Sequence, residues 1–281
     1  MAANLNKTKR RIVSVTNTKK ITNAMELVAT VKLKKYRNGM FSNASYVEEI
    51  EKLIKVLFKN AGNDLDRTFV SENEAPVTLF VVVTSNLGLC ASYNNDVFKF
   101  VENNVPRENS ELLVIGTKGA NYFAKNGYQT NEQFIDLGDA IDSEELYKMC
   151  DFLRLNFENK KYKAIKLIYT KYINSIRFKP DLITLFPVSE IKEEDELGYP
   201  AIFDPDCKTL INELLPIYSS SILYQKLIES QVSEQASRRN AMENATNNAK
   251  DLIDKLTLEY NHARQDNITQ EITEVVSSTI K

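Results

Sequence analysis

The sequence predicts an α/β fold: a Rossmann-like sheet block inserted between two long terminal helices that pair as an antiparallel coiled coil. Three observations carry this. From Asn4 to about Lys59 there is no proline and one glycine, Gly39, and apolar residues recur three and four apart. Residues 75–200 alternate β-branched apolar runs with helical stretches. From Asp206 onward the chain holds one proline, Pro216, and no glycine. The implied division is 1–60 and 206–281 for the coiled coil and 75–200 for the sheet block.

The first segment reads as a helix through Met25–Val28, Leu33–Tyr36–Met40 and Val47–Ile50–Ile54–Leu57, a helical period. About 55 residues at 1.5 Å each would span roughly 80 Å, far beyond an ordinary globular helix. The texture changes at Ala75. "VTLFVVVTS" (77–85) is a continuous run, as expected for a strand buried on both faces. A helix near Tyr93–Asn103 follows, then "ELLVIG" (111–116), a helix from Gly119 to about Asn126, and another from Ser143 to about Asn159. "YKAIKLIYTKYIN" (162–174) and "DLITLFPV" (181–188) read as further strands. Strands alternating with helices imply a mainly parallel sheet covered by helices. "IKEEDELGYP" (191–200) reads as a solvated loop. After Pro216 some 60 residues keep the helical period, as in Ala245–Ala249–Leu252–Leu256–Tyr260–Ala263.

A long helix of moderate apolarity needs tertiary packing to persist, and the partner at hand is the other long helix. Ala236, Ala241, Ala245 and Ala249 would permit close approach. Lys19 and Thr22 interrupt the apolar seam begun by Ile12 and Val15, so a loosely wound pair is expected. Charge points the same way. Residues 1–40 carry ten basic side chains against one acid, Glu26, while Glu229 to Glu274 carries nine acids against five bases. Two such segments would attract if they lay side by side.

Composition narrows the functional classes. Apolar residues at 43% and charged residues at 26% fit an ordinary soluble globular chain. Cys90, Cys150 and Cys207 are odd in number and scattered, so neither a metal cluster nor a disulfide framework is indicated, and a reducing cytoplasm is expected. No apolar run approaches the roughly 18 residues of a membrane span. "VIGTKGANYF" (114–123) has a strand, a glycine turn and a helix, but neither spacing that cradles phosphate, so a plain strand-to-helix turn is the better reading. His262 is the only histidine, which excludes a multi-histidine metal site; on a helix rich in Asn and Gln it reads as a solvated or contact residue. "TSNLGLC" (84–90) offers a thiol without a local base, so Cys90 reads as a small buried residue under a strand end. Aromatics for base stacking are nearly absent from the basic N-terminal stretch, which disfavours nucleic acid and leaves the acidic helix or an acidic protein partner. No cofactor is expected.

Three segments carry a family resemblance. "KRRIVSVTNTKKITNAMELVATVKLKK" (9–35), "TSNLGLCASYNNDV" (84–97) and "SEQASRRNAMENATNNAKDLIDKLTLEYNHARQDNITQEITEVVS" (233–277) closely resemble the γ subunit of F-type ATP synthases. The resemblance covers the whole chain in order, weakly from about 98 to 200. It implies a central rotor stalk that is not itself an enzyme. The terminal coiled coil would enter a ring of alternating α and β subunits, and the α/β block would lie at the foot against the ε subunit and the membrane c-ring. It implies a cytoplasmic, peripheral place on the inner face of the bacterial cell membrane. By motif match, Met25 in "TNAMELV" would face an acidic loop of β. Arg238, Gln265, Thr269 and Glu271 match coupling positions on the last helix, and Arg264 with Gln265 in "HARQ" matches a polar contact with β. Asp204 and Pro205 match the turn into that helix, near the foot. A C-terminal tip with short polar side chains suits a shaft that must turn inside a sleeve.

The chain departs from the family in places. Many relatives read "RGLCG" where this chain has "LGLCA" (87–91), and Arg239–Asn240 stand where an apolar pair is common. The paired cysteines of the redox-regulated chloroplast type are absent. The divergent outer block leaves open an F-type-like ATPase whose output is mechanical work other than proton transport. A free-standing α/β enzyme and a cytoskeletal coiled coil are the rivals from other classes. Nucleotide binding by the isolated chain would mark the first, and a stable homodimer the second.

Overall fold

The computed structural model describes residues 2–61, 71–131, 133–136, 141, 143–188 and 203–279. The loop expected at 191–200 lies outside these residues. Helix α1 runs Ala2–Ala61 and helix α5 runs Cys207–Thr279, with strands and helices between them in the order β1 (Thr78–Val83), α2 (Tyr93–Asn104), β2 (Ser110–Ile115), α3 (Thr117–Lys125), β3 (Thr130–Asn131), α4 (Ser143–Glu158), β4 (Ile165–Tyr172) and β5 (Phe178–Phe186). The predicted class, long terminal helices around an α/β block, is the observed one. The two-residue strand β3 carries no apolar run and has no counterpart in the sequence reading. Pro216 lies inside α5, which continues through it; the ring removes one backbone donor from the ladder.

The chain divides into two compact units, Lys32–Ser237 and the pair of segments Met1–Val31 with Arg238–Lys281. The larger unit holds a five-stranded sheet in the order β3-β2-β1-β4-β5. β1, β2, β3 and β4 run parallel, and β5 is antiparallel to β4 at the edge. Alternate side chains of β1 feed two cores. Leu79, Val81 and Val83 pack with Ile54 and Leu57 of α1, Met149 and Leu153 of α4, and Leu215 and Leu227 of α5. Phe80 and Val82 pack with Val97 and Val101 of α2 and Phe123 of α3. This double coverage is why the strand sequence is a continuous apolar run. Ile54 and Leu57 are fully buried, which for such side chains is worth about 1.5–3 kcal/mol each.

In the same unit α1 also packs on α5. Leu33, Tyr36 and Met40 meet Ile228, Val232 and Ala236. Asn43 Nδ2 donates to Gln225 Oε1 at 2.9 Å. A Cβ on Gly39 would stand 3.1 Å from Ile228 Cδ1, so the glycine permits close approach here. Rising numbers on α1 meet falling numbers on α5, so the pair is antiparallel.

In the smaller unit the burial seam of α1 passes through Ile12, Val15, Lys19, Thr22, Glu26 and Ala29, the alternating three–four spacing of a coiled coil. The seam does not break at Lys19 and Thr22; it turns polar. Thr246 Oγ1 of α5 donates to Thr22 Oγ1 at 2.8 Å, and Thr22 Oγ1 donates to Lys19 O at 3.1 Å. Hydrogen bonding, not apolar contact, fills the seam at that level.

Candidate functional site

Doubly wound sheets bind ligands at the carboxyl ends of their strands, where the strand order reverses. Here that point lies between β1 and β4. At the neighbouring β2–α3 turn, the glycine-containing turn singled out by sequence, the backbone donors are already in use. Gly116 N–H donates to Ile135 O at 2.7 Å and Lys118 N–H to Ser85 O at 3.1 Å. Thr117 N–H donates to Asn86 Oδ1 at 3.0 Å and Gly119 N–H to Thr84 Oγ1 at 3.1 Å. The two glycines serve packing. Gly116 has φ +101°, and a Cβ on either glycine would collide with Thr84. Cys90 is buried, with Asn94 Nδ2 3.3 Å from its sulfur. Burial holds the Tyr93 phenol well above its ordinary range, and it pushes the Cys150 thiol up to about 12. Neither group is poised for chemistry near neutrality.

Exposed apolar surface gathers instead on the terminal helices. Ile21, Val28 and Val31 are exposed large hydrophobics, 61%, 56% and 70% accessible. With Ala24, also exposed, they fall three, four and three apart. They therefore share one face of α1, and it lies opposite the seam through Thr22 and Ala29. Lys7, Lys9, Arg10, Arg11 and Lys20 are exposed on the same stretch and give it positive charge.

The tip of α5 is the second exposed surface. Thr22 lies level with Thr246, so twenty residues back along α1, to Ala2, correspond to twenty residues on along α5, to Asp266. Beyond this level no described stretch of α1 accompanies α5. Residues 268–276 are all exposed, including Ile268, Ile272, Val275 and Val276. From Asn267 to Thr279 the helix runs on for about 13 residues, roughly 20 Å. A segment that short is marginal as an isolated helix in water.

The residues singled out by sequence fall into three groups. Arg264, Gln265, Thr269 and Glu271 lie exposed on the unaccompanied tip or beside it. Met25 is half-buried between the seam and the apolar face of α1. Arg238 differs, being 6% exposed and so withdrawn from solvent within this chain. Asp204 and Pro205 are exposed and precede the cap of α5. There the Asp206 carboxylate accepts from Thr209 N–H at 2.9 Å and from Thr209 Oγ1 at 3.1 Å. Those bonds, the amide first, hold it below the usual carboxylate range. His262 is exposed.

Sequence reasoning missed the face Ile21–Ala24–Val28–Val31. Its signal is a second three–four pattern, at 21, 24, 28 and 31, offset by one or two residues from the seam positions 22, 26 and 29.

Comparison with known proteins covers nearly the whole chain. A family model described as ATP synthase matches residues 4–279. The ATP synthase gamma chain of Mycoplasma capricolum is 39% identical over 276 residues, 98% of this chain and 97% of that one. That of Mycoplasmopsis pulmonis is 37% identical over 281 residues, 99% of both chains. Among solved structures, a chain of the Euglena gracilis mitochondrial ATP synthase superposes with a TM-score of 0.66 at 17% identity, covering 99% of this chain and 94% of that one. A chain of the Tetrahymena thermophila central stalk and c-ring gives 0.57 at 24% identity, covering 80% and 99%. At these identities the structural matches speak for the fold.

Proposed function

The chain belongs to the ATP synthase γ-chain family, and from that premise we propose that it is the central rotor stalk of an F-type ATP synthase. Residues 1–60 and 206–281 form the shaft, and residues 75–200 the foot. The shaft stands inside a ring of alternating α and β subunits, with the ε subunit and the membrane c-ring at the foot. The observation that carries this is the tip of α5, where Ile268, Ile272, Val275 and Val276 are all exposed large apolar side chains. Such a segment calls for a surrounding protein surface.

The stalk is not itself catalytic. The amides at the β2–α3 turn are bound internally, and the crevice between β1 and β4 is filled by α5, as detailed below, which supports this reading. Its work is mechanical. One asymmetric shaft meets three equivalent β subunits, so each β sees a different face. A face biases a β subunit between open and closed only through unequal contact energy with the two states. Moving such an equilibrium from 1:99 to 99:1 takes about 5.5 kcal/mol. Linkage makes the coupling reciprocal, so nucleotide binding at β favours particular shaft angles. Met25 and the apolar face of α1 supply contact on one side, and Arg264, Gln265, Thr269 and Glu271 on the tip. Arg238 acts from within the shaft, stiffening it and not touching the ring. The basic surface of α1 suits an acidic loop of β.

No helix among the described residues is long and apolar enough to cross a membrane, in keeping with a peripheral place on the inner face of the bacterial cell membrane. No observation favours a mechanical output other than proton transport. Co-purification from native membranes tests the reading: α, β, ε and c-ring subunits should accompany this chain. A different set of foot partners would overturn the proton-coupled assignment, and recovery without α and β would overturn the stalk itself.

A further inference from the structure

The ladder between β1 and β4 stops at Ile168, although β4 continues to Tyr172. On the side that β1 has left, Thr170 and Tyr172 need other partners for their backbone groups. Helix α5 supplies them. Thr170 N–H donates to Ser230 Oγ at 3.0 Å, and Ser233 Oγ shares its one proton between Glu229 O at 3.0 Å and Thr170 O at 3.2 Å. Tyr172 N–H donates to Glu229 Oε1 at 3.1 Å. One turn further on, Ser237 Oγ donates to Cys90 O at 2.7 Å, in the loop that follows β1. Ser230 and Ser233 are fully buried, and Glu229 and Ser237 nearly so. The helix thus stands in for a missing strand, in the very crevice where other doubly wound sheets hold a ligand.

This differs from ordinary helix-on-sheet packing. Apolar contact is non-directional and tolerates sliding. Hydrogen bonds do not, because their strength falls steeply with angle. To turn or slip against the sheet, α5 must break several buried bonds together, each leaving an unpaired group. We propose that Glu229, Ser230 and Ser233 are positioning residues that lock α5 to the β4 edge and form the joint through which torque passes between α5 and the α/β block. The proposal rests on the rotor reading given above.

The test uses the assembled complex carrying Ser230→Ala/Ser233→Ala, Glu229→Ala or Glu229→Gln in this chain. Two quantities are read: amide hydrogen exchange at Thr170 and Tyr172, and protons pumped per ATP hydrolysed. In the serine variant Thr170 exchange should rise about tenfold, the loss of one net hydrogen bond, with Leu167 and Ile168 unchanged. Pumping per ATP should fall while hydrolysis persists. Glu229→Ala should do the same at Tyr172, and Glu229→Gln, which keeps an acceptor oxygen for that amide while losing the ion pair with Lys226, should keep most of the Tyr172 protection and of the pumping ratio. If the double variant fails to assemble, Ser230→Ala alone, which removes the acceptor of the Thr170 amide, carries the same readouts. Freed amides with an unchanged pumping ratio would reduce the contact to plain structure and overturn the joint. Unchanged amides would overturn the bonds themselves. Failure of the rotor reading looks different: the wild-type complex would not couple hydrolysis to pumping at all, while Thr170 stayed protected.

Discussion

The Thr22–Thr246 contact offers a sharp test of how the two terminal helices meet. Thr22 accepts from Thr246 at 2.8 Å while donating to Lys19 O, and Thr22 is 9% exposed. Thr→Val keeps shape and exchanges a hydroxyl for a methyl. Either single change removes the bond between the two hydroxyls and leaves the other hydroxyl facing an apolar neighbour, a net loss of about 1 kcal/mol; Thr22→Val also removes the bond to Lys19 O. The double change leaves no hydroxyl behind. Each added methyl buries about 0.8 kcal/mol of apolar surface, so the double variant should match wild type or exceed it slightly. The expected non-additivity is about 1–2 kcal/mol. Urea unfolding of the full chain, followed by far-UV circular dichroism, gives the four stabilities of the cycle. Effects that add within about 0.5 kcal/mol would mean the hydroxyls do not touch, and the antiparallel register drawn from them would fall.

Other predictions follow from the same geometry. Gly119→Ala places a Cβ 2.5 Å from Thr84 Oγ1, and overpacking of this kind should cost about 1–3 kcal/mol; an unchanged urea midpoint would count against the tight β2–α3 turn. The Asp206 carboxylate is held below its ordinary value of 3.8, so its cap is at full strength above that value and is lost as pH falls through the lower folded value. Protection of the Thr209 amide, its exchange relative to the intrinsic rate at each pH, should accordingly fall only in acid, and a loss beginning near neutrality would contradict the cap. Met25→Lys adds a cation at a half-buried position beside the apolar face of α1; ATP-driven rotation should weaken while the isolated chain folds normally, and full coupling would remove Met25 from the contact surface.

Much of this molecule is legible without coordinates because its periodicities are long. Strand β1 reads correctly since both its faces are buried, which leaves a run of apolar residues and no alternation. The terminal helices read correctly since some 60 residues without a breaker leave little else. What escaped had weaker local signals. β3 has two residues, Thr130 and Asn131, whose pairing is decided by β2 and not by their own propensity. The seam at Thr22 looked broken because its partner, Thr246, lies 224 positions away. Ser230, Ser233 and Ser237 carry no sequence signal of their own, and their role appears only once β4 outruns β1. Arg238 matches a coupling position by motif; its burial within this chain is a tertiary property that the motif does not encode.

The central claim is that a single copy of this chain stands with the tip of α5 inside a ring of other subunits. Ile272→Cys in the native complex, with a short thiol cross-linker and a count of chains in the product, addresses it directly. The expected product is a cross-link from this chain to an α or β subunit, with one copy of the chain for every three β subunits. A tip that links to a second copy of the same chain, or several copies per ring, would contradict it.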